Sequence, residues 1–290
     1  MNPTSTHPSP GSLLHDAFAG RPQHFSPFLV LGDPSPDLSV ELAVAAVKAG
    51  ATMLELGLPY SDPCADGPSV ENASRRALAQ GVGRARALEI LRAIRARCPD
   101  TPLNLLVYGN LVHACGFDRF ATESVDAGAS SLLVPDIPLE EGSGLRAACR
   151  AVGLATVQMI TPSTPHDRLR RIDDETDGFV YLVAVQGVTG SRLQSEPTDR
   201  RRAIADAARI ASNPICVGFG LRTREDIQCV HDAGAHLAVV GSELIRTIEQ
   251  GVRDQASDSA LIDRFQRATT ALVPSTNDIS NDTPSKPPTC

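Results

Sequence analysis

The feature that most constrains this chain is an alternation repeated eight times, in which a short apolar or β-branched run is followed by a stretch with apolar residues at helical spacing. The candidate strands are residues 28–31, 52–57, 103–108, 131–135, 155–160, 179–184, 215–218 and 237–241. The candidate helices are 40–49, 71–97 (long enough for two), 119–127, 139–152, 167–172, 198–211, 224–233 and 242–268. Several strand runs are nearly continuous in apolar character, as expected for parallel strands covered on both faces. Eight strand-then-helix units over about 240 residues predict an α/β fold closed into a (β/α)8 TIM barrel. An open doubly wound sheet is the main competitor. The first strand lacks a G-x-G-x-x-G turn, however, and eight strands suit closure better. An extra N-terminal helix at 12–19 could plug the barrel floor. Residues 1–11 and 273–290 are rich in Pro, Ser, Thr, Asn and Asp, and are expected as disordered tails flanking a single barrel over 12–272.

Charge narrows the class of partner. The net charge of -7 argues against nucleic acid or an anionic membrane as the main ligand. The clusters Arg168, Arg170, Arg171 and Arg200, Arg201, Arg202 have no interleaved aromatics and read as solvated helix ends. Seven scattered cysteines without a C-x-x-C pair read as free thiols of a reducing compartment. With no run of 18 apolar residues and no apolar signal region, a cytoplasmic protein is expected. The histidines lack metal-ligand spacing, and no G-x-S-x-G elbow or Walker loop occurs, which leaves acid–base chemistry on a phosphorylated metabolite.

In a barrel, function gathers on the loops after the carboxyl ends of the strands. The second candidate strand carries Glu55, followed by a Pro-stiffened loop with Asp62 and Asp66. Burial disfavours a charged glutamate and can raise its pKa into the proton-shuttling range, although a structural carboxylate is an equal reading of spacing alone. Gly187-Val188-Thr189-Gly190, Gly218-Phe219-Gly220 and Gly241-Ser242 follow strands six, seven and eight. Backbone N–H groups there, with a helix N-terminus after strand eight, suit a phosphate; tight turns are the alternative.

The segment Leu54-Glu55-Leu56-Gly57-Leu58-Pro59-Tyr60-Ser61-Asp62-Pro63, with Ala65-Asp66-Gly67-Pro68, closely resembles the signature of tryptophan synthase α subunits. Phe28 with Leu31-Gly32-Asp33-Pro34, Tyr108-x-Asn110, Val134-Pro135-Asp136-Ile137-Pro138, Thr161-Pro162-Ser163-Thr164, Tyr181 and the three glycine loops follow in the family's order. The resemblance implies retro-aldol cleavage of indole-3-glycerol phosphate to indole and glyceraldehyde 3-phosphate, a step of tryptophan biosynthesis. It implies Glu55 as the general acid/base and Asp66 as its carboxylate partner near the indole nitrogen. Phe28, Tyr108 and Tyr181 would line or support the indole pocket, ordinary packing being the other reading. Gly190, Gly220, Gly241 and Ser242 would contact phosphate, and Thr189 would sit on the loop that closes over substrate. No cofactor is implied on this chain; pyridoxal phosphate is expected only on a β subunit, the partner in an α2β2 tetramer. Asp62, Pro63, Asn110 and Pro138 would belong to that interface.

Three positions depart from the family pattern: Glu71 where glutamine is more frequent, and Ala184 and Arg222 where serine is usual. None is expected to touch the acid–base pair. Cys64 lies between the partner-facing residues and Asp66. Two other functions fit the same barrel, a stand-alone lyase releasing free indole and a non-catalytic regulatory subunit. The presence of both carboxylates argues against the second.

Overall fold

The computed structural model describes residues 10–21, 23–64, 66–183 and 197–274. The chain opens with α1 (Pro10–Gly20), then β1 (His24–Val30), α2 (Pro36–Lys48), β2 (Leu54–Gly57), α3 (Pro68–Ala79) and α4 (Arg84–Arg97). Next come β3 (Leu103–Leu106), α5 (Gly109–Cys115), α6 (Phe117–Asp126), β4 (Ser131–Leu133), α7 (Ser143–Val152), β5 (Ala155–Ile160) and α8 (His166–Asp174). The chain continues through β6 (Val180–Leu182), α9 (Pro197–Ile210), β7 (Ile215–Val217), α10 (Arg224–Asp232), β8 (Leu237–Val240), α11 (Ser242–Arg253) and α12 (Asp258–Leu272).

The eight strands pair in parallel in sequence order and close, with His24 of β1 opposite Leu237 of β8. This is the (β/α)8 barrel the alternation predicts. Side chains on neighbouring strands at matched register share a face. Phe28, Glu55, Asn104 and Ser131 are successive register partners across β1 to β4, so one interior row combines an aromatic ring with three polar groups. The alternate residues Leu54, Leu56, Leu103 and Leu105 are fully buried in the annulus between sheet and helices. Buried Ala73, Ala77, Leu88 and Leu91 of α3 and α4 share that core.

The divisions within the longer helical runs have local causes. The run 71–97 is two helices because Gln80–Gly83 turns the chain, with Gly81 at φ +74° in the left-handed region. The run 242–268 also divides: Gln255 takes φ 53°, and the Ser257 hydroxyl accepts from the N–H of Ala260 to start α12. Helix α5 is an element the periodicity does not reveal, since seven residues are too few to build an apolar stripe.

The N-terminal helix starts at Pro10, two residues before its expected start. The Gly11 N–H donates to the Gly153 carbonyl at 3.2 Å, and Leu14 is buried beside Gly178, at the amino ends of β5 and β6. Phe18 makes edge contacts with His24 and Phe179, so α1 covers the barrel floor. Val273 packs its methyls over Gly50, while the tail segments 1–9 and 275–290 lie outside the described residues. Cys64, Cys98, Cys115, Cys149 and Cys216 are free thiols. Cys229 is disulfide-bonded, which corrects, at this residue, the expectation of seven free thiols. Among the described residues no helix is long and apolar enough to cross a membrane.

A partly buried ion pair ties the loop after β1 to α3. Arg76 of α3 donates Nε–H to Asp33 Oδ1 at 2.6 Å and Nη2–H to Oδ2 at 2.9 Å. Burial pushes the Asp33 carboxyl above its ordinary range, and Arg76 pulls it back only in part. Such a pair contributes little net stability, yet losing one partner strands the other charge. Arg76→Ala is expected to cost about 3 kcal/mol in urea unfolding, and an Asp33→Asn/Arg76→Met double variant to recover much of that loss. Equal stability of Arg76→Ala and the parent would show that the pair does not hold the loop.

Candidate active site

Glu55 sits on β2 with its side chain inside the barrel, 2% exposed. Its Oε1 accepts from Asn104 Nδ2–H at 2.9 Å, and its Oε2 accepts from the Tyr181 hydroxyl at 3.3 Å. Asn104 is itself held: its Oδ1 accepts from the Ser131 hydroxyl at 2.7 Å. The three polar side chains of β2, β3 and β4 therefore form one hydrogen-bonded row, satisfying groups that would be costly to bury unpaired.

Burial pushes the Glu55 carboxyl from 4.5 up to about 7; the Asn104 and Tyr181 hydrogen bonds oppose the shift, and the Asp66 charge adds to it. Asp66, on the loop between β2 and α3, is pushed from 3.8 up to about 6, mainly by burial. A hydrogen bond with Tyr108 opposes that rise, and the Glu71 charge reinforces it. Glu71 stands in the first turn of α3, a helix that begins two residues after Asp66. Glu71, one of the three departures, thus acts on Asp66 through its charge, because the loop and helix start are contiguous. Arg222, another departure, is exposed, and its backbone N–H donates to Asp226 at the start of α10.

The aromatic residues converge on the same mouth. Phe28, 7% exposed, lies between Gly57 and Gly241: a Cβ at Gly57 would come within 2.8 Å of its ring, and one at Gly241 within 3.3 Å. Tyr108 stacks on Tyr60 with ring centroids 5.2 Å apart, and Tyr60 in turn accepts from the Asn110 amide at 3.2 Å. Tyr181 is buried, with Phe219 against its edge at 6.1 Å. A Cβ at Gly218 would overlap the Tyr181 hydroxyl and ring, so this glycine is what lets Tyr181 reach Glu55. The motif Gly218-Phe219-Gly220 thus serves two ends, since its first glycine makes room for a tyrosine rather than for an anion.

Gly220, at φ +79°, is exposed beyond β7. Gly241 precedes α11 and makes no side-chain cap, while Ser242 is that helix's first residue. The opening N–H groups of α11 lack intrahelical partners by geometry, which suits an anion. Thr189, Gly190 and Ala184 lie outside the described residues. Asp62 and Cys64 are exposed at the rim, with Pro63 half-buried between them. The sequence reading missed Asn104 and Ser131, which stand inside short apolar runs. Their only signal is polarity at inward positions, and that becomes legible once the register with Glu55 is known.

The raised Glu55 pKa has a consequence for stability. Below pH 4.5 Glu55 is protonated whether folded or unfolded, and its ionisation costs nothing. Between 4.5 and about 7 only the unfolded chain ionises, so stability falls as pH rises, and above 7 the loss is complete. Glu55→Gln removes this dependence. Its stability advantage over the parent is expected to grow by about 3 kcal/mol between pH 4 and pH 8, at roughly 1.4 kcal/mol per unit. A pH-independent difference in denaturant unfolding would mean that Glu55 is not held in its neutral form by burial.

The family model for "Tryptophan synthase alpha chain" matches residues 15–273. The chain is 39% identical over 244 residues to the tryptophan synthase alpha chain of Prochlorococcus marinus, covering 84% of this chain and 88% of that one. It is 40% identical over 230 residues to that of Gloeobacter violaceus, covering 79% and 83%. Among solved structures, a chain of the tryptophan synthase a2b2 complex from Pyrococcus furiosus superposes with a TM-score of 0.78 at 32% identity, covering 86% of this chain and 97% of that chain. The tryptophan synthase subunit alpha from Legionella pneumophila superposes with a TM-score of 0.78 at 30% identity, covering 90% and 98%. A barrel with two raised-pKa carboxylates at its mouth, matched along nearly its whole described length, belongs to the tryptophan synthase alpha chain family.

Proposed function

We propose that this chain cleaves indole-3-glycerol phosphate to indole and glyceraldehyde 3-phosphate, acting as a carbon–carbon lyase in tryptophan biosynthesis. The observation that carries the reading is the buried Glu55 carboxyl, pushed up to about 7, beside the half-buried Asp66 carboxyl, pushed up to about 6, each in range to move protons at neutral pH. Glu55 in its acid form gives a proton to indole C3. The bond between C3 and the glycerol chain then breaks, its electron pair returning to the ring. The neighbouring hydroxyl becomes the aldehyde and returns a proton to Glu55, so none is gained or lost overall. Asp66 accepts a hydrogen bond from the ring N–H and stabilises the positive charge that develops there. Phe28 and Tyr108 flank the ring, Tyr181 supports Glu55, and Gly220, Gly241 and Ser242 face the phosphate. Thr189 and Gly190 belong to the same reading by resemblance.

The partner in this reading is a tryptophan synthase β subunit that carries the pyridoxal phosphate and takes up the indole. The a2b2 assembly of the Pyrococcus furiosus protein supports it. Asp62, Pro63, Asn110 and Pro138 form the face toward that partner. A phosphorylated intermediate as substrate implies a cytoplasmic setting.

Indole release by the parent, Glu55→Gln and Asp66→Asn, each with and without a β subunit, tests the assignment. Both variants are expected to lose about a hundredfold or more in kcat. Parent activity should rise with the partner; full activity without it would mark a stand-alone lyase, and none in any combination would remove the catalytic reading. The phosphate end has its own test. Ser242→Asp places a carboxylate at the first turn of α11, where it favours the helix but repels phosphate. KM is expected to rise about tenfold or more with kcat and thermal stability nearly kept, a cost of about 1.4 kcal/mol in binding. An unchanged KM would place the phosphate elsewhere.

A further inference from the structure

The proton chemistry proposed for Glu55 does not say which of its two oxygens works. The hydrogen bonds around it do. An asparagine amide has one accepting end and one donating end. The Ser131 hydroxyl donates to Asn104 Oδ1 at 2.7 Å, so the amide oxygen lies toward β4 and the NH2 toward β2. There it donates to Glu55 Oε1 at 2.9 Å. All three residues are at most 2% exposed and stand in register on adjacent strands. An N–H cannot accept, so a proton on Oε1 would face another hydrogen.

Oε2 has a different neighbour. The Tyr181 hydroxyl lies at the longer distance of 3.3 Å, and a hydroxyl can donate to a carboxylate or accept from an acid. We propose that Asn104, locked by Ser131, is a positioning residue that commits Glu55 Oε1 to accepting and leaves Oε2 as the oxygen that gives and takes the proton. This rests on the lyase reading for its chemistry. In that cycle Oε2 hands its proton to indole C3 and receives one from the opening hydroxyl, while Oε1 stays bonded to the Asn104 amide throughout. Asn104 thus fixes the direction of the proton path without touching substrate.

The other groups facing Glu55 are Tyr181 of β6, Cys216 of β7 and Asp66 of the loop after β2. The phenol and thiol are both pushed well above their ordinary values by burial and stay neutral, so among these neighbours only Asp66 changes charge near the pH at which Glu55 does. The test uses the full chain labelled with 13C-carboxyl glutamate, the Glu55 signal being the one missing in Glu55→Gln. Asn104→Leu removes the donor, and Ser131→Ala frees the amide to turn its oxygen toward Glu55. In both, the Glu55 titration is expected to move up by about one pH unit, a tenfold change in its ionisation constant. Ser131→Thr, which keeps the hydroxyl, should titrate like the parent. Infrared difference spectra below the titration should show the protonated carboxyl's C=O stretch rising in Asn104→Leu, because Oε1 loses its hydrogen bond. For indole release, kcat should fall with KM changed less than about twofold, as for loss of an interaction that matters in the transition state.

A Glu55 titration and C=O stretch unmoved in both Asn104→Leu and Ser131→Ala overturn the proposal, whatever the activity. If the parent releases no indole, the lyase reading fails, while the titration and the infrared band still decide the role of Asn104.

Discussion

Pairing of β1 with β8 turns a row of strands into an enclosed surface, and the chemistry of this chain depends on that closure. His24 to Pro27 run beside Leu237 to Val240, joining segments more than 200 residues apart in sequence at the cost of loop-closure entropy. Once closed, the sheet has no free edge and its interior is shut from bulk water. Only in that interior is the Glu55 carboxyl pushed up to about 7. The same carboxyl on an open sheet face would be solvated and fully ionised.

Enclosure brings its own difficulty, since a barrel interior normally fills with branched apolar side chains. Here Glu55, Asn104 and Ser131 take interior places on three successive strands. They are tolerable because each satisfies the next, and because Tyr181 closes the chain of donors across the cavity from β6. That last bond needs Gly218, where any larger residue would occupy the position of the tyrosine ring. A small residue on β7 is thus a condition for the state of an acid on β2.

The sequence is legible where a signal is local and periodic. All eight strands are visible as apolar runs, with β5 at its observed bounds, and Glu55 and Asp66 stand in a motif specific enough to name a family. What escapes has a geometric origin. Asn104 and Ser131 become meaningful only when register sets them beside Glu55. The charge of Glu71 bears on Asp66 because α3 starts two residues after it, which spacing alone does not show. Gly218 reads as part of an anion loop because nothing in its neighbours announces a tyrosine from another strand. Helix α5 is too short for periodicity, and the pairing of Cys229 has no counterpart in spacing.

The helix under the barrel also bears on how the protein is made. Apart from His24, its partners Gly153, Gly178 and Phe179 lie far along the chain, so the first described element to leave the ribosome lacks most of its docking surface until more than half the chain has followed. Leu14 and Phe18 must stay exposed to water, or be sheltered by other proteins, during that interval. Translation speed across the middle of the message therefore sets how long this apolar face is available for mispairing.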